Sequence, residues 1–380
     1  MSRLPHPTDP IRLLPFNATS GRPEQVHRFE PREWLAIQAA LAARRPLLVV
    51  GEPGVGKTQL AAAAAQVLKR PLVRKVVDSR TEPHDLLWEF DAVLRLAHAQ
   101  LAAAVNSGTS TSSAPAPAAS SDASSPLTDS PDWQSLRKEV HKVGDVRNYI
   151  RPGPLWWGFA WNSAEEQAKQ FAVRDALQML RPAFQPPAHP DHGCVVLIDE
   201  VDKAETDVPN ALLDALGNGQ FQPLGFGQPV PIQGPTPLVI ITSNKERTLP
   251  APFVRRCLVL HLELSNDKAP LIAHLVTRAQ DHFPPESLPD RWKHVGDQIF
   301  RDLAEMLYED RAARTKGLDS SAPRPGQAEY LDLVRAVLSL PDKMVEQQTK
   351  SAQDPAAGEW RALAESLRAF TLQKGIGLGS

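Results

Sequence analysis

Eight consecutive residues, Gly51-Glu52-Pro53-Gly54-Val55-Gly56-Lys57-Thr58, fit the pattern G-x-x-x-x-G-K-[ST]. Glycines at this spacing let the backbone curl until successive N–H groups point inward at phosphate oxygens. Lys57 then reaches the β/γ-phosphates of a nucleotide, and the Thr58 hydroxyl holds Mg²⁺. We count Gly51 through Thr58, with Gln59 behind them, as nucleotide-contacting. Far downstream, Asp199 and Glu200 close the apolar run Cys194-Val195-Val196-Leu197-Ile198. An Asp at such a strand end binds the same Mg²⁺, and the adjacent Glu200 points differently and polarises an attacking water. The competing reading, two acids capping the next helix, loses weight because the glycine loop precedes it.

Three further candidates are weaker by themselves. Asn244 follows the apolar run Leu238–Ile241 and Thr242-Ser243, where a neutral amide can bond water or a γ-phosphate; the alternative is a turn-forming Asn. Arg255 and Arg256 close Phe253-Val254-Arg255-Arg256. A guanidinium contacts phosphate in a planar, bidentate way, and one supplied by a neighbouring subunit stabilises transition-state charge. Two arginines also suit the end of a helix dipole. Arg324, in Ser321-Ala322-Pro323-Arg324, opens a helix from which it can reach a γ-phosphate; spacing alone makes it a surface arginine.

These residues need elements to hold them. The run Leu47–Val50, bounded by Pro46 and Gly51, reads as a buried strand, and an Ala-rich helix starts near Lys57. Leu72–Val77 reads as a second strand. Asp85–Ala104 reads as one helix, with Leu87, Phe90, Val93, Leu94 and Ala97 at helical spacing. Asn106–Pro131 is nearly all Ser, Ala, Pro, Thr and Gly and cannot bury enough apolar surface to offset its ordering entropy, so we expect a disordered surface insertion. Order resumes at Asp132. Tyr149–Trp157 reads as an extended piece ending in a turn. Its Trp156 and Trp157 either grip a client or pack beneath the sheet, and we favour packing. A polar helix over Ser163–Leu180, the strand ending at Asp199, a helix over Val208–Leu216 and a hairpin within Phe221–Pro235 follow. Leu238–Ile241, a helix over Ala251–Arg256 and a strand over Leu258–Leu262 complete the set. Beyond Ser265 four amphipathic helices are expected, marked by Leu275, Leu303, Val334 and Leu363 among others.

This order predicts an α/β fold: an αβα phosphate-loop core around a five-stranded parallel sheet, followed by a small all-α lid. Residues 1–28 read as a Pro-rich extended arm, 29–265 as the core and 266–380 as the lid. The 380 residues carry a net charge of −2, which argues against dedicated nucleic-acid binding. The two cysteines, Cys194 and Cys257, lie in apolar runs and read as buried free thiols of a reducing compartment. The first residues lack the apolar segment of a secretory signal, and no run approaches the ~20 apolar residues of a membrane span. The expectation is a cytoplasmic protein without membrane contact.

GEPGVGKT, VVLIDEVDKA, ITSN, FVRRC and SAPR, in this order, resemble the AAA+ ATPases, and specifically their MoxR-like branch. RPLLVVGEPGVGKTQLA, TEPHDLLWEFDAVLRL, IRPGPLWWGF, DEVDKAETDVPNALLDALGNGQF and ITSNKERTLPAPFVRRC carry the likeness to that branch, which covers about Phe29 to Leu340. It implies ATP and Mg²⁺ as cofactors, with Lys57 and Thr58 as Walker A and Asp199 and Glu200 as Walker B. It implies Asn244 as sensor 1, Arg324 as sensor 2, and an arginine finger at Arg255 or Arg256. The segment around Asp85–Leu87 becomes a helix-2 insert and Phe221–Gly234 a pre-sensor hairpin. A homo-oligomeric, six-membered ring acting on a protein client is implied, as is a partner with a von Willebrand A domain. Two other readings are kept: a GTP-using ring NTPase of the restriction type, and a nucleotide-gated scaffold that does not turn over. The Ser/Ala/Pro tract and the Pro-rich arm depart from the family pattern.

Overall fold

A computed structural model describes residues 6–13, 25–108, 144–171, 180–184, 186–316, 324–340 and 359–372. In chain order, β1 (Ile11–Leu13) and β2 (Gln25–His27) precede α1 (Pro31–Ala43), β3 (Leu47–Gly51), α2 (Lys57–Val67) and β4 (Leu72–Val76). Next come β5 (Trp88–Phe90), α3 (Ala92–Gly108), β6 (Ile150–Pro152), α4 (Pro154–Phe159), α5 (Trp161–Gln170) and β7 (Val195–Asp199). Then follow α6 (Asp207–Asn218), β8 (Gln220–Phe221), β9 (Val230–Pro231), β10 (Leu238–Ser243), α7 (Ala251–Arg256) and β11 (Leu258–Leu262). The chain continues with α8 (Lys268–His282), α9 (Gly296–Lys316), α10 (Gln327–Ser339) and α11 (Glu359–Thr371).

Five strands form one parallel sheet in the order β11-β3-β10-β7-β4. Every residue of β3, β7 and β10 is buried, because a parallel sheet is covered on both faces and its central strands are apolar throughout. Side chains alternate between two layers. Leu47, Val49, Leu197, Ile240 and Leu260 pack with Trp34, Ile37, Leu60 and Ala64 of α1 and α2. Leu48, Val196, Ile198, Val239 and Ile241 pack on the other face with Trp156, Trp157, Phe159 and Leu212. This is the αβα core expected from the sequence. All strands of that sheet sit where the apolar runs put them, and β8 pairs antiparallel with β9 as the expected hairpin.

Helices α8 to α11 share a separate apolar cluster built on Leu275, Phe300, Leu303, Leu307, Tyr330, Val334 and Leu363. These are the four amphipathic helices read from periodicity. Among the described residues no helix is long and apolar enough to cross a membrane.

Several local expectations are corrected. The segment Asp85–Ala104 is not one helix. A short 3₁₀ turn over Pro83–Leu86 leads into β5, which pairs antiparallel with β6, and α3 starts only at Ala92. Asp91 decides this boundary: its carboxylate accepts the Leu94 N–H at 2.8 Å and its carbonyl accepts the Arg95 N–H at 3.1 Å, a helix start in mid-segment. The apolar spacing therefore joined three elements, and Val93 stands 80 % exposed. Helix α3 runs through Asn106–Gly108, so the proposed insertion does not begin at Asn106; its remainder, and the restart at Asp132, lie outside the described residues.

The stretch ending at Trp157 enters a helix rather than a turn, because Pro154 occupies the first position of α4. Trp156 and Trp157 are buried, and Trp156 stacks edge-on against Phe221 and Phe226, so packing is the reading that holds. The polar helix begins at Trp161, ahead of Ser163, and residues 172–179 of its expected span lie outside the described residues.

Of the expected Pro-rich extended arm, residues 6–13 and 25–28 are described, and they include two strands. Strand β2 pairs with β1, and Val26 and His27 are buried. Beyond β2, Arg28 is paired with Asp281 of α8, Nε donating to Oδ2 at 2.7 Å. Short runs of Pro and polar residues hid two three-residue strands whose partners are distant in sequence. Both cysteines are free and buried; burial pushes each thiol up to about 12, which makes them inert packing groups.

Candidate active site at the sheet's C-terminal edge

The glycine loop joins the end of β3 to the start of α2, with its shape set by neighbours. A Cβ at Gly51 would stand 2.2 Å from the Leu262 carbonyl oxygen, so only glycine lets β11 pass there. Gly56, the residue before α2, has φ +95°, which a side chain rarely tolerates. From there α2 aims its free N–H groups and dipole at the loop's mouth. Lys57 is 6 % exposed, and its Nζ donates to the carbonyls of Gly51 and Glu52, both at 2.8 Å. Burial lowers its pKa; the carboxylates of Asp199, Asp202, Glu200 and Glu52 act in the opposite sense.

Parallel pairing brings β7 to the same edge, and the two motifs meet. Thr58 Oγ1 donates to Asp199 Oδ1 at 3.2 Å and lies 3.1 Å from Oδ2. Asp199 is 4 % exposed; it also accepts from Thr242 Oγ1 at 2.6 Å and Arg74 Nη2 at 2.6 Å. A buried carboxylate beside a threonine hydroxyl is a pair of hard oxygen donors, which fits Mg²⁺. Neither Thr242 nor Arg74 was singled out from the sequence. Thr242 lay in view inside ITSN, whereas Arg74 is an ordinary polar position of an edge strand.

Glu200 takes a left-handed conformation, φ 62° and ψ 44°, an uncommon state for a side-chain-bearing residue outside a turn. Its N–H donates to Thr242 Oγ1 at 2.9 Å, which holds the kink. The Glu200 carboxylate has different partners from that of Asp199. One oxygen lies 2.7 Å from Lys203 Nζ, and the other is 3.4 Å from Asn244 Nδ2. Asn244 is thus brought to Glu200 from the end of β10. Asp202, 2 % exposed, holds that strand end by accepting the Asn244 N–H at 3.1 Å and the Glu246 N–H at 2.9 Å. Asp202 was another omission, with DEVD as its only sequence signal.

The arginines lie elsewhere. Arg255 and Arg256 are exposed in the last turn of α7, whose final carbonyls accept from Arg45. They precede β11, whose Leu258 is level with Leu47 while Leu262 is level with Gly51. At ~3.3 Å per residue they sit at the sheet's opposite end, at least about 13 Å from their own phosphate loop. Arg324 is exposed and does not open α10, which starts at Gln327; Ser321–Pro323 lie outside the described residues. It stands two positions before Gly326, where a Cβ would come within 2.9 Å of the Pro53 carbonyl oxygen, so the turn carrying Arg324 abuts the phosphate loop.

A comparison with curated proteins gave no match. A family model described as the AAA ATPase domain matches residues 32–226, a span that includes the glycine loop, Asp199 and Glu200. That span is just over half of the 380 residues, and together with the five-stranded parallel sheet it makes this chain a member of the AAA ATPase domain family.

Proposed function

We propose that the protein is a Mg²⁺-dependent ATPase of the MoxR-like type, working as a six-membered homo-oligomeric ring in the cytoplasm. It couples ATP hydrolysis to the remodelling or maturation of a protein client, with a von Willebrand A domain protein as the favoured partner. The observation that carries the ATPase reading is the meeting of Thr58 with buried Asp199 at 3.1–3.2 Å beside the glycine loop. Loop N–H groups and the α2 terminus bind the phosphates, and Lys57 supplies the fixed cation at the β/γ position. Thr58 and Asp199 would hold Mg²⁺, which would supply positive charge to offset the charge developing on the transferred phosphoryl group.

Glu200 orients and polarises the attacking water. Lys203 pairs with one of its carboxylate oxygens at 2.7 Å, and Asn244 fixes the direction of the other. The water oxygen bonds to the γ-phosphorus as its proton passes to the Glu200 carboxylate, and the bond from that phosphorus to the β,γ-bridging oxygen breaks, its electron pair leaving on ADP. Arg255 or Arg256 acts on a neighbouring subunit's nucleotide, and Arg324 reports nucleotide state from the lid.

Calorimetry and steady-state assays test this. Lys57→Ala should abolish tight ATP binding, whereas Glu200→Gln should retain binding and lose turnover by about 10²–10⁴-fold. Unchanged affinity in the first variant removes the phosphate-loop assignment; unchanged turnover in the second removes Glu200 from its role.

A further inference from the structure

One buried guanidinium of the helical region reaches into the phosphate loop. Arg311 lies in α9 and is 5 % exposed. Its Nη2 donates to Glu52 Oε2 at 2.9 Å, and its Nη1 donates to the Pro325 carbonyl at 2.8 Å. The first acceptor belongs to the loop that carries Lys57, the second to the turn that leads into α10. Those two segments also touch directly. The Ala328 N–H donates to the Gly54 carbonyl at 3.1 Å, and a Cβ on Gly54 would stand 3.1 Å from the Ala328 Cβ. Val55 packs against both the helical cluster and the α1–α2 side of the sheet.

Glu52 makes this arrangement chemically pointed. Its carboxylate sits inside a loop whose task is to hold phosphate anions, and it is close enough to act on Lys57. Unpaired, it would repel the ligand. Arg311 is always charged and presents a rigid fork, so it can cancel Glu52 and hold a second acceptor at once. We infer that Arg311 is a positioning residue for nucleotide binding: it neutralises Glu52 and clamps the 325–328 turn onto the phosphate loop, so that the helical region and the loop respond to nucleotide as one unit. This inference rests on the phosphate-loop reading proposed above.

The test uses the full chain and the affinity for ADP with Mg²⁺, read by calorimetry. Arg311→Met should weaken binding by about tenfold or more, because it strands a carboxylate beside the phosphates. Adding Glu52→Gln to that variant should recover affinity to within about threefold of the parent, since the repulsion is gone. A purely structural arginine predicts no such rescue, and a double variant as weak as Arg311→Met overturns the inference, as does an Arg311→Met with parental affinity. If Arg311→Met fails to fold by circular dichroism, Arg311→Lys decides the matter. It keeps the charge and loses the fork, so it should weaken binding several-fold in the parent and by no more than about twofold in the Glu52→Gln background; equal losses in the two overturn the inference. Lys57→Ala separates the two levels of argument. Parental affinity there overturns the phosphate-loop reading itself, whereas lost affinity there with Arg311 variants that bind normally overturns only the role of Arg311.

Discussion

Asp202 shows how much of the candidate site's geometry depends on a residue that holds backbone. It is buried and carries the backbone of Asn244 and Glu246 on its two oxygens. Asp202→Ala leaves those N–H groups without their acceptor, at a cost of about 1–3 kcal/mol for each that stays dry. The strand end holding Asn244 should then drift from Glu200, while Lys57 and Thr58 keep their places. We therefore expect a lower melting temperature and a fall in turnover that exceeds the fall in ATP affinity. Equal losses in both would mean that Asp202 supports the fold alone. The candidates named from motif and spacing, Gly51, Lys57, Thr58, Asp199, Glu200 and Asn244, lie together at one edge of the sheet, so their proximity was legible in the sequence. Arg74, Lys203, Asp202 and Arg311 were not. Each is an ordinary charged residue whose partner is supplied by folding, and Arg311 meets Glu52 across 259 positions of chain.

At the scale of elements, the strands were easy and their connections were not. Central parallel strands are apolar without interruption, so composition finds them. Short antiparallel pieces such as β1, β2, β5 and β6 are fixed by partners, and a period count over Asp85–Ala104 blended the 3₁₀ turn, β5 and the start of α3 into one helix. Helix α4 gains its stability from burial rather than propensity. Trp156 is fully buried, donates to Ser163 Oγ at 3.1 Å and pins the β8–β9 hairpin through Phe221 and Phe226. Trp156→Ala should destabilise the protein by about 3–5 kcal/mol, seen as a lower denaturant midpoint with an unchanged slope. A shift below about 1 kcal/mol would mean that the cavity closes without loss.

The strand β2 is tied to α8 by a bond with a defined pH dependence. His282 Nε2 accepts the Val26 N–H at 3.2 Å while its Nδ1 donates to the Arg278 carbonyl at 2.8 Å, so the ring is neutral there. Burial lowers its pKa; the Arg278 carbonyl and Asp281 oppose this, and the charges of Arg335 and Arg278 add to it. His274 is shifted the same way, by burial first and Arg278 next. A histidine with a depressed folded value binds fewer protons when folded. Its stabilisation is complete above the ordinary ~6.5 and is lost as pH falls from there through the folded value. Amide exchange at Val26, corrected for intrinsic rate, should therefore speed up between about pH 7.5 and about pH 5.5. Constant protection across that range would show that the tie does not depend on neutral His282.

At the scale of the whole molecule, the position of Arg255 and Arg256 makes the strongest demand. They end α7 at the opposite edge of the sheet from Gly51, and their helix is anchored there by Arg45. An arginine side chain cannot span that distance to its own γ-phosphate, so under the proposed reading one of the two serves a neighbour. Activity per subunit should then rise with concentration as rings assemble. Arg255→Ala with Arg256→Ala in one chain should lose turnover and keep most ATP binding, because the guanidinium acts chiefly on transition-state charge. The loss expected is about 10³–10⁵-fold. Mixing that protein with Lys57→Ala should restore part of the activity, since some interfaces in mixed rings pair an intact loop with an intact arginine. The mixture is decisive because neither component has a complete site of its own. Two inactive proteins that assemble together yet never complement would rule out the arginine acting in trans. Full activity in a demonstrably monomeric sample would rule out the ring.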